Sequence, residues 1–583
     1  MKVKFDGIEY EIEDNLTIVD AAKQCGIEIP TLCFLRDLHE EGSCRICVVE
    51  ERNSDKLMVS CSTKAYEGMD IITKSDRIDD SRKKTLDLLN SVHDRDCPNC
   101  ERNLNCELQK QFIKYSVYKS EYKGEIKPRH IDESTCYLVR DPNKCILCNR
   151  CVEVCSKIQD VAVIGRNNRG IETEISTAFN KDMSDIPCIA CGQCIISCPT
   201  AALRDKDNTD IIREALANEN LHVVVAPAPS VRFSLGEPFG MPIGSNVKGK
   251  MVTALRELGF KNVFDINFGA DLTVMEEAYE FVERLGSGGT LPLITSCCPA
   301  WIKYMETFYS DLIPNVSTCK SPQQMFGATI KTYYAKKNNI NPKDIFVITI
   351  MPCTAKKFEI KRHDQKASGY PDTDAVITVR ELAKMIKQDG IDFVNLEDGD
   401  FDNPFGTGAS VIFGASGGVM ESALRTAKEL LEKKELEKID FCEVRGSEGL
   451  KEATYNINGE DIHVAAVSGI KNAKVLLDQI RNGKSKYHFI EVMACPGGCI
   501  NGGGQPILSS QITNYINVKK ERTKSIYEED RNLSIRKAHE NPYIIELYKE
   551  FYDKPGSKLA HDYLHTSFIK RSKYIFKDKN KNE

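Results

Sequence analysis

The sequence predicts a multidomain protein in which small α+β units precede one large α/β domain. Its 583 residues exceed the length that a single hydrophobic core usually serves. Its 24 cysteines fall into ordered clusters, and beyond about residue 209 helical stretches alternate with short apolar runs. Hydrophobic residues make up 41% and charged residues 28%, as in ordinary globular proteins. We therefore expect four domains, at residues 1–78, 79–118, 136–208 and 209–583.

Charge and hydropathy exclude several classes of protein. A net charge of −6 argues against a nucleic-acid partner. No apolar run approaches the roughly 20 residues of a membrane helix, so no membrane association is expected. The first residues lack an apolar signal core, which predicts a cytoplasmic protein. In such a reducing compartment the thiols stay free to bind metal, and the short cysteine spacings disfavour a disulfide framework.

Residues 1–78 are predicted to form a β-grasp, ferredoxin-like domain. Alternating apolar residues on either side of Asp6-Gly7 indicate a hairpin, and the residues after Thr17 indicate a short helix. The next cysteines have the pattern C-x10-C-x2-C-x13-C. Two cysteines separated by two residues, with longer spacings to the cysteines on either side, suit a 2Fe–2S cluster. The first spacing is longer than in plant-type ferredoxins. The predicted ligands are Cys33, Cys44, Cys47 and Cys61.

Residues 79–118 are predicted to be a small helical domain that carries one histidine and three cysteines. On spacing alone, three thiolates and one imidazole fit zinc and a 4Fe–4S cluster equally well. The position between two iron–sulfur domains favours the 4Fe–4S cluster. The predicted ligands are His93, Cys97, Cys100 and Cys106.

Residues 136–208 contain two C-x2-C-x2-C-x3-C runs, the arrangement of bacterial ferredoxins with two 4Fe–4S clusters. In that arrangement the fourth cysteine of each run binds the other cluster. Cys155 departs slightly from the bacterial pattern, because Ser156 rather than proline follows it. The predicted ligand sets are Cys145, Cys148, Cys151 and Cys198 for one cluster, and Cys155, Cys188, Cys191 and Cys194 for the other.

Residues 209–583 are predicted to form an α/β domain. Four apolar runs, at 222–226, 291–295, 345–350 and 487–492, resemble buried parallel strands. Helices are expected at 248–258 and 418–432. Each apolar run is followed at once by a distinctive loop, and ligands of open α/β sheets bind at the carboxyl ends of strands. We therefore place the functional site in these loops.

Five cysteines follow three of the predicted strands. Four thiolates suit one 4Fe–4S cluster, which leaves a fifth thiol free to act as an acid or base. Cys297 could equally be a small buried residue. Glycines 502–504 allow a backbone to approach a bulky ligand closely. The five cysteines are Cys297, Cys298, Cys353, Cys495 and Cys499.

The segments 295–301, 351–359 and 491–506 resemble the three signature blocks of the FeFe hydrogenases, and the upstream order of cysteine motifs resembles that of the clostridial monomeric enzymes. The resemblance covers essentially the whole chain. It implies an H-cluster, which is a 4Fe–4S cubane joined to a di-iron unit with CO, cyanide and a bridging dithiolate. By position, the cubane ligands would be Cys298, Cys353, Cys495 and Cys499, with Cys499 bridging to the di-iron unit.

The resemblance also implies a pocket around the di-iron unit. Lys356 would donate a charge-assisted hydrogen bond to a cyanide nitrogen. The implied pocket residues are Pro229, Ser230, Gln324, Met351, Lys356, Phe413 and Met493.

A helix predicted at 271–284 places Glu277 and Glu280 on one face. A solvated charged face is the commoner explanation of such spacing. The resemblance implies instead a proton-transfer route, on which buried glutamates should have raised pKa values. Its residues would be Cys297, Glu277, Ser317, Glu280 and Arg284.

The function implied is the reversible reduction of protons to dihydrogen, with electrons passing through one 2Fe–2S and three accessory 4Fe–4S clusters to the H-cluster. Ferredoxin or flavodoxin is the expected electron partner, maturation proteins would supply the di-iron unit, and the chain is expected to be a monomer. Three competing functions stay open: an iron–sulfur assembly or sensor protein of the same fold, an electron-transfer subunit of a respiratory complex, and a hydrogenase subunit that serves a pyridine-nucleotide partner.

Overall fold

A computed structural model describes residues 1–52, 54, 56–122, 128–446 and 448–574. In the N-terminal domain a mixed five-stranded sheet packs on the helix Ile18–Gln24. The predicted hairpin is confirmed, with positive φ angles at Asp6 and Gly7 in its turn. Thr17 caps the helix by accepting a hydrogen bond from the amide of Asp20. In sheet order the strands are Ile8–Glu11, Lys2–Phe5, Asp70–Ile72, Val48–Glu51 and Leu57–Val59.

Two helices, Asp76–Asn90 and Glu107–Lys114, flank the loop that carries the one-histidine, three-cysteine motif. The following domain contains two small antiparallel pairs of strands and two short helices, Arg150–Glu153 and Gln193–Ser197. Asn149 and Gly192, directly before these helices, both adopt the left-handed conformation, so the two cysteine runs have the same local geometry. The paired strands are Leu138–Arg140 with Leu203–Asp205, and Ile164–Asn167 with Glu174–Thr177.

The α/β domain contains two four-stranded sheets, and the four predicted strands are divided equally between them. His222–Pro227 and Ile345–Met351 pair in parallel at the centre of one sheet, which is completed by Asn262–Val263 and Ala375–Thr378. Leu293–Ile294 and Phe489–Met493 pair in parallel in the other. The second sheet is completed by Glu460–Ser468 and Leu450–Ile457, the last of which runs antiparallel.

Helices surround both sheets. The prediction at 248–258 corresponds to Lys248–Glu257, and Gly418–Glu432 lies where the sequence predicts it. The predicted helix at 271–284 belongs to the longer Asn267–Ser287. The other α-helices after residue 208 are Thr209–Ala217, Pro299–Phe308, Pro322–Thr329, Ala335–Lys337, Ala355–Glu359, Val379–Gln388, Gly408–Val411, Ile470–Arg481, Ser510–Thr513, Val518–Asn532, Pro542–Leu547 and Lys558–Leu564.

The C-terminal segment packs against the α/β domain through apolar and charged contacts. Ile544 and Leu547 lie in one apolar cluster with Leu272 of the long helix. The fully buried guanidinium of Arg425 donates to both carboxylate oxygens of Asp530, at 3.0 and 2.9 Å. Within the described part of the chain, no helix is long and apolar enough to cross a membrane.

Replacing Asp530 with alanine should destabilise the protein strongly, because it leaves the buried Arg425 short of a charged partner. Breaking such a pair costs about 3–5 kcal/mol. Calorimetry should show a clearly lowered unfolding temperature. Asp80→Ala removes an exposed pair with Lys84 and should change stability by less than about 1 kcal/mol. Equal unfolding temperatures for the two variants would contradict this prediction.

Candidate active site

Three cavities in the N-terminal half are each lined by one predicted ligand set. All 24 cysteines are free thiols. In the two-cluster domain the fourth cysteine of each run reaches the cavity of the other run, as the spacing predicts. The three sets are Cys145, Cys148, Cys151 and Cys198; Cys155, Cys188, Cys191 and Cys194; and His93, Cys97, Cys100 and Cys106.

The four N-terminal cysteines also converge. The thiol of Cys33 contacts those of Cys44 and Cys61, and Cys61 contacts Cys47. The amide of Cys44 donates to the sulfur of Cys33 at 3.5 Å. Four thiols linked in a row by these contacts suit a compact 2Fe–2S cluster.

His93 has the protonation state that a metal ligand needs. Burial, reinforced by the Lys144 ammonium, lowers the pKa of His93 to about 4. The imidazole is therefore neutral at pH 7, and its Nδ1 has no hydrogen-bond partner among the described residues. These features fit a metal-binding role for His93.

The largest constellation lies between the two sheets of the α/β domain. All five predicted thiols line one cavity. Cys298 directly precedes the helix Pro299–Phe308, and Cys353 and Cys495 each follow a central strand by two residues. The sequence thus brings loops that are up to about 200 residues apart to one point, as the strand-end argument predicts.

Six of the seven predicted pocket residues line the same cavity. They are Pro229, Ser230, Met351, Lys356, Phe413 and Met493. The seventh, Gln324, is fully buried but does not line it, whereas its neighbour Gln323 does. The hydroxyl of Ser230 and both amide atoms of Gln324 have no hydrogen-bond partner in the described structure.

These unpartnered groups allow a test of fit for the predicted metal group. Buried polar atoms without partners are uncommon in folded proteins. Here the hydroxyl of Ser230 lines an apolar cavity together with five thiols, and Gln324 directly follows Gln323, which also lines it. The residues present therefore fit a cluster with thiolate-bound iron and polar, hydrogen-bond-accepting ligands.

Lys356 brings a positive charge to the cavity wall. Its Nζ contacts Glu359 at 2.9 Å and donates to the carbonyl of Cys297 at 3.2 Å. Burial opposes the charge, but Glu359 and the neighbouring thiols raise the pKa of Lys356 above its usual value. The sequence argument missed the role of Glu359, although its position three residues after Lys356 on one helix could have indicated it.

Glycines bring one accessory cluster site against this cavity. This site, here called the last accessory site, is the one lined by Cys155, Cys188, Cys191 and Cys194. A β-carbon at Gly503 would lie 2.2 Å from the carbonyl oxygen of Cys191, and one at Gly502 would lie 2.1 Å from that of Pro352. No side chain fits at either position. The loop that carries Cys499 is therefore in backbone contact with the loop that carries Cys191.

A buried chain of polar groups leads from the cavity along the helix Asn267–Ser287. Arg284 pairs with Glu280 at 2.6 Å, and the hydroxyl of Ser317 donates to Glu280 at 2.8 Å. Ser317 also lies close enough to Glu277 to lower its pKa, and Glu277 lies close enough to Cys297 to raise the pKa of that thiol. The structure thus brings all five predicted residues together.

Glu277 does not lie on a solvated face. It is 1% exposed, and neither carboxylate oxygen has a hydrogen-bond partner among the described residues. Burial, reinforced by Glu280, raises the pKa of Glu277 to about 8. Burial and the nearby Glu277 likewise raise the pKa of Cys297. Both groups therefore favour their protonated forms near neutral pH.

Five family models match the chain. Residues 221–503 match the C-terminal domain of the iron-only hydrogenase large subunit, and 516–571 match the iron hydrogenase small subunit. Residues 1–76 match a 2Fe–2S iron–sulfur cluster binding domain, and 144–202 match a 4Fe–4S dicluster domain. Residues 82–121 match the iron–sulfur binding region of NADH-ubiquinone oxidoreductase G, which supports an iron–sulfur cluster rather than zinc at His93.

Two similar proteins span nearly the whole chain. The NADP-reducing hydrogenase subunit HndD of Solidesulfovibrio fructosivorans is 44% identical over 98% of this chain and 99% of its own length. Iron hydrogenase 1 of Clostridium pasteurianum is 43% identical over 97% of this chain and 99% of its own length. A solved structure of the FeFe hydrogenase HydA1 of Chlamydomonas reinhardtii, 37% identical, covers 62% of this chain and 99% of that one with a TM-score of 0.55.

Gly503→Ala should separate the last accessory site from the large cavity, because the added carbon would clash with the backbone at Cys191 and Gly192. In iron-loaded protein we expect weaker magnetic coupling between the two neighbouring clusters, measured by paramagnetic resonance. Gly286→Ala places its carbon in open space and serves as the control. Unchanged coupling in Gly503→Ala would refute the close contact.

Glu277→Gln should change how stability depends on pH. A carboxyl pKa raised from 4.5 to about 8 means that the folded protein binds more protons than the unfolded chain between these values. Stability therefore falls as pH rises through this window, by up to about 1.4 kcal/mol per pH unit. Unfolding temperatures from pH 5 to 8 should fall less steeply in Glu277→Gln than in wild type. The exposed Glu283→Gln should keep the wild-type slope, and a shared slope in all three proteins would contradict the assignment.

Proposed function

The chain belongs to the FeFe hydrogenase family, and from this premise we propose that it reduces protons reversibly to dihydrogen with electrons from ferredoxin. The observation that carries this proposal is the convergence of five thiols and a lysine on one buried cavity between two sheets. Polar groups leave this cavity along one helix, and a second cluster site touches it through glycine backbone. The site thus has separate protein paths for protons and for electrons.

We assign one 2Fe–2S cluster, three accessory 4Fe–4S clusters and one H-cluster to the predicted ligand sets. The bound H-cluster would supply the redox-active iron at which protons and electrons combine. Cys298, Cys353, Cys495 and Cys499 would hold it, with Cys499 shared between the cubane and the di-iron unit. This assignment uses every thiol of the cavity except Cys297, which stays free for proton transfer.

The remaining cavity residues orient the group and exclude water. Lys356, held by Glu359, presents a fixed positive charge to anionic ligands such as cyanide. Ser230 offers a further donor, since its buried hydroxyl lines the cavity and has no partner among the described residues. Met351, Phe413 and Met493 close the cavity with apolar surface, which strengthens each electrostatic contact inside it.

Protons would enter at Arg284 and Glu280 and pass through Ser317 and Glu277 to Cys297. The raised pKa of Glu277, about 8, lets its carboxyl hold and release a proton near neutral pH. Arg284 fixes Glu280 at the half-buried outer end of this route.

The electron partner and the cellular setting are further parts of the proposal. Ferredoxin or flavodoxin would deliver electrons to the N-terminal clusters, and maturation proteins would supply the di-iron unit. The chain would act as a cytoplasmic monomer without nucleic-acid or membrane partners. The printed name of the relative from Solidesulfovibrio fructosivorans supports a second candidate, in which a pyridine-nucleotide subunit is the electron partner.

Two competing functions account for less of the chain. An electron-transfer subunit would use the N-terminal clusters but leave the cavity at residues 297–499 without a role. An assembly or sensor protein would not need a buried thiol beside two buried or half-buried glutamates, and here Glu277 lies near Cys297 while Ser317 hydrogen-bonds Glu280. Both features support catalysis.

Cys297→Ala should abolish hydrogen evolution with reduced viologen, because the last proton carrier is lost while the four cluster ligands remain. Activity should fall by at least about 100-fold, the typical contribution of a positioned acid or base. Iron content should stay at the wild-type value. Cys442→Ala removes an exposed thiol and is the matched control. Wild-type activity in Cys297→Ala would refute the proton route.

The proposed donor can be tested with the purified chain alone. Reduced ferredoxin should support hydrogen evolution without a second subunit, and NADPH should not, since no nucleotide site is part of the proposal. Protein that is active with viologen but inactive with ferredoxin would refute this donor. Gain of NADPH activity after addition of a flavin-containing subunit would then favour the second candidate.

A further inference from the structure

A buried histidine near the N-terminal cluster has no role in the function proposed above. His39 lies in the loop between the ligands Cys33 and Cys44 and is 1% exposed. Neither of its ring nitrogens has a hydrogen-bond partner among the described residues. Burying an imidazole in this way is costly, and buried polar groups are nearly always satisfied. Both ring nitrogens of His39 are therefore available to bind a ligand.

Two carboxylates identify the kind of group. A ring nitrogen of His39 and carboxylate oxygens of Glu41 and Glu153 all lie within 4.8 Å of one another. Glu41 is exposed on the same loop, whereas Glu153 ends the helix Arg150–Glu153 of the two-cluster domain. Three potential ligand atoms from two domains thus face one point.

We propose that His39, Glu41 and Glu153 bind a divalent transition-metal ion of the Zn²⁺ class at the junction of these domains. Imidazole nitrogen and carboxylate oxygen are ordinary zinc ligands, at about 2.0–2.2 Å. Ligands of one such ion lie at most about 4.4 Å apart, so only a small closure is needed. Glu41 can provide it, because its exposed side chain is free to rotate.

Lys157 competes with the ion for one of the carboxylates. Its Nζ contacts Glu153 at 2.6 Å and the carbonyl of Leu38 at 3.1 Å. The side chain of Lys157 is 53% exposed, so it can withdraw into solvent when the ion binds. When a divalent ion replaces the Lys157 ammonium, its two positive charges balance the two negative charges of Glu41 and Glu153.

The site adjoins the predicted 2Fe–2S cluster. Contacts with Cys44 and Cys61 are the main causes of the lowered pKa of Cys33, and His39 lies close enough to add to them. A bound cation would therefore place positive charge beside the cluster and raise its reduction potential. It would also fasten the 2Fe–2S domain to the two-cluster domain that contains Glu153.

Paramagnetic resonance of the iron-loaded, chelator-washed protein tests the site, with Mn²⁺ as a paramagnetic probe. Mn²⁺ bound beside the reduced 2Fe–2S cluster should speed its spin relaxation, so that a higher microwave power is needed to saturate its signal. Zn²⁺ should reverse this effect by displacing Mn²⁺. Zn²⁺ alone should shift the midpoint potential of the cluster in the positive direction.

Variants assign these effects to the proposed ligands. Glu41→Gln and His39→Gln should lose both the relaxation effect and the potential shift, whereas Glu40→Gln, next to both ligands, should retain them. Lys157→Gln should bind Mn²⁺ about tenfold more tightly, because the competing ammonium is gone. If the buried His39→Gln variant fails to hold its 2Fe–2S cluster, Glu41→Gln still tests the site, because Glu41 is exposed and its replacement should not disturb the fold.

Wild-type responses in Glu41→Gln would overturn the proposal, as would the absence of any Mn²⁺ effect on the wild-type 2Fe–2S signal. Neither measurement depends on hydrogen evolution. The outcome is therefore separate from the test of the proposed function.

Discussion

The backbone contact at glycines 502–504 is the constraint on which the active site depends. These residues lie against the carbonyl of Pro352 on one side and against Cys191 and Gly192 on the other, at distances that admit no side chain. Arg380 holds the loop in place, since it donates to the carbonyl of Gly503 at 2.6 Å and to Asp205 at 3.0 Å. Two metal-binding loops from different domains are thereby held in direct backbone contact, with no room for a side chain between them.

Burial explains the chemistry on the other side of this contact. A cavity closed by methionine, phenylalanine and proline side chains makes each remaining charge costly unless it is paired. The charge of Lys356 is paired with that of Glu359. Glu277 avoids an unpaired charge, because its raised pKa keeps it protonated up to about pH 8. The same burial thus leaves the site with the fixed positive charge of Lys356 and with a transferable proton on Glu277.

Local spacing allowed much of the site to be predicted from the sequence. The x2 spacings place thiols around one point whatever the rest of the fold, and four strand ends located the cavity. Long-range contacts were not predictable in this way. The division of the strands between two sheets and the Asp205–Arg380 pair, which joins residues 175 positions apart, depend on packing that no local pattern records. Gln324 is another example. It was predicted to line the cavity, but on its helix the neighbouring Gln323 is the residue that does so.

The central claim is that electrons pass from the accessory clusters through the glycine contact to a di-iron site in the large cavity. Infrared spectroscopy of fully matured protein after light-driven reduction tests this claim most directly. We predict bands of metal-bound CO and cyanide that shift as electrons arrive from the reduced accessory clusters. Absence of these bands, or bands that stay fixed while the accessory clusters are reduced, would contradict the claim.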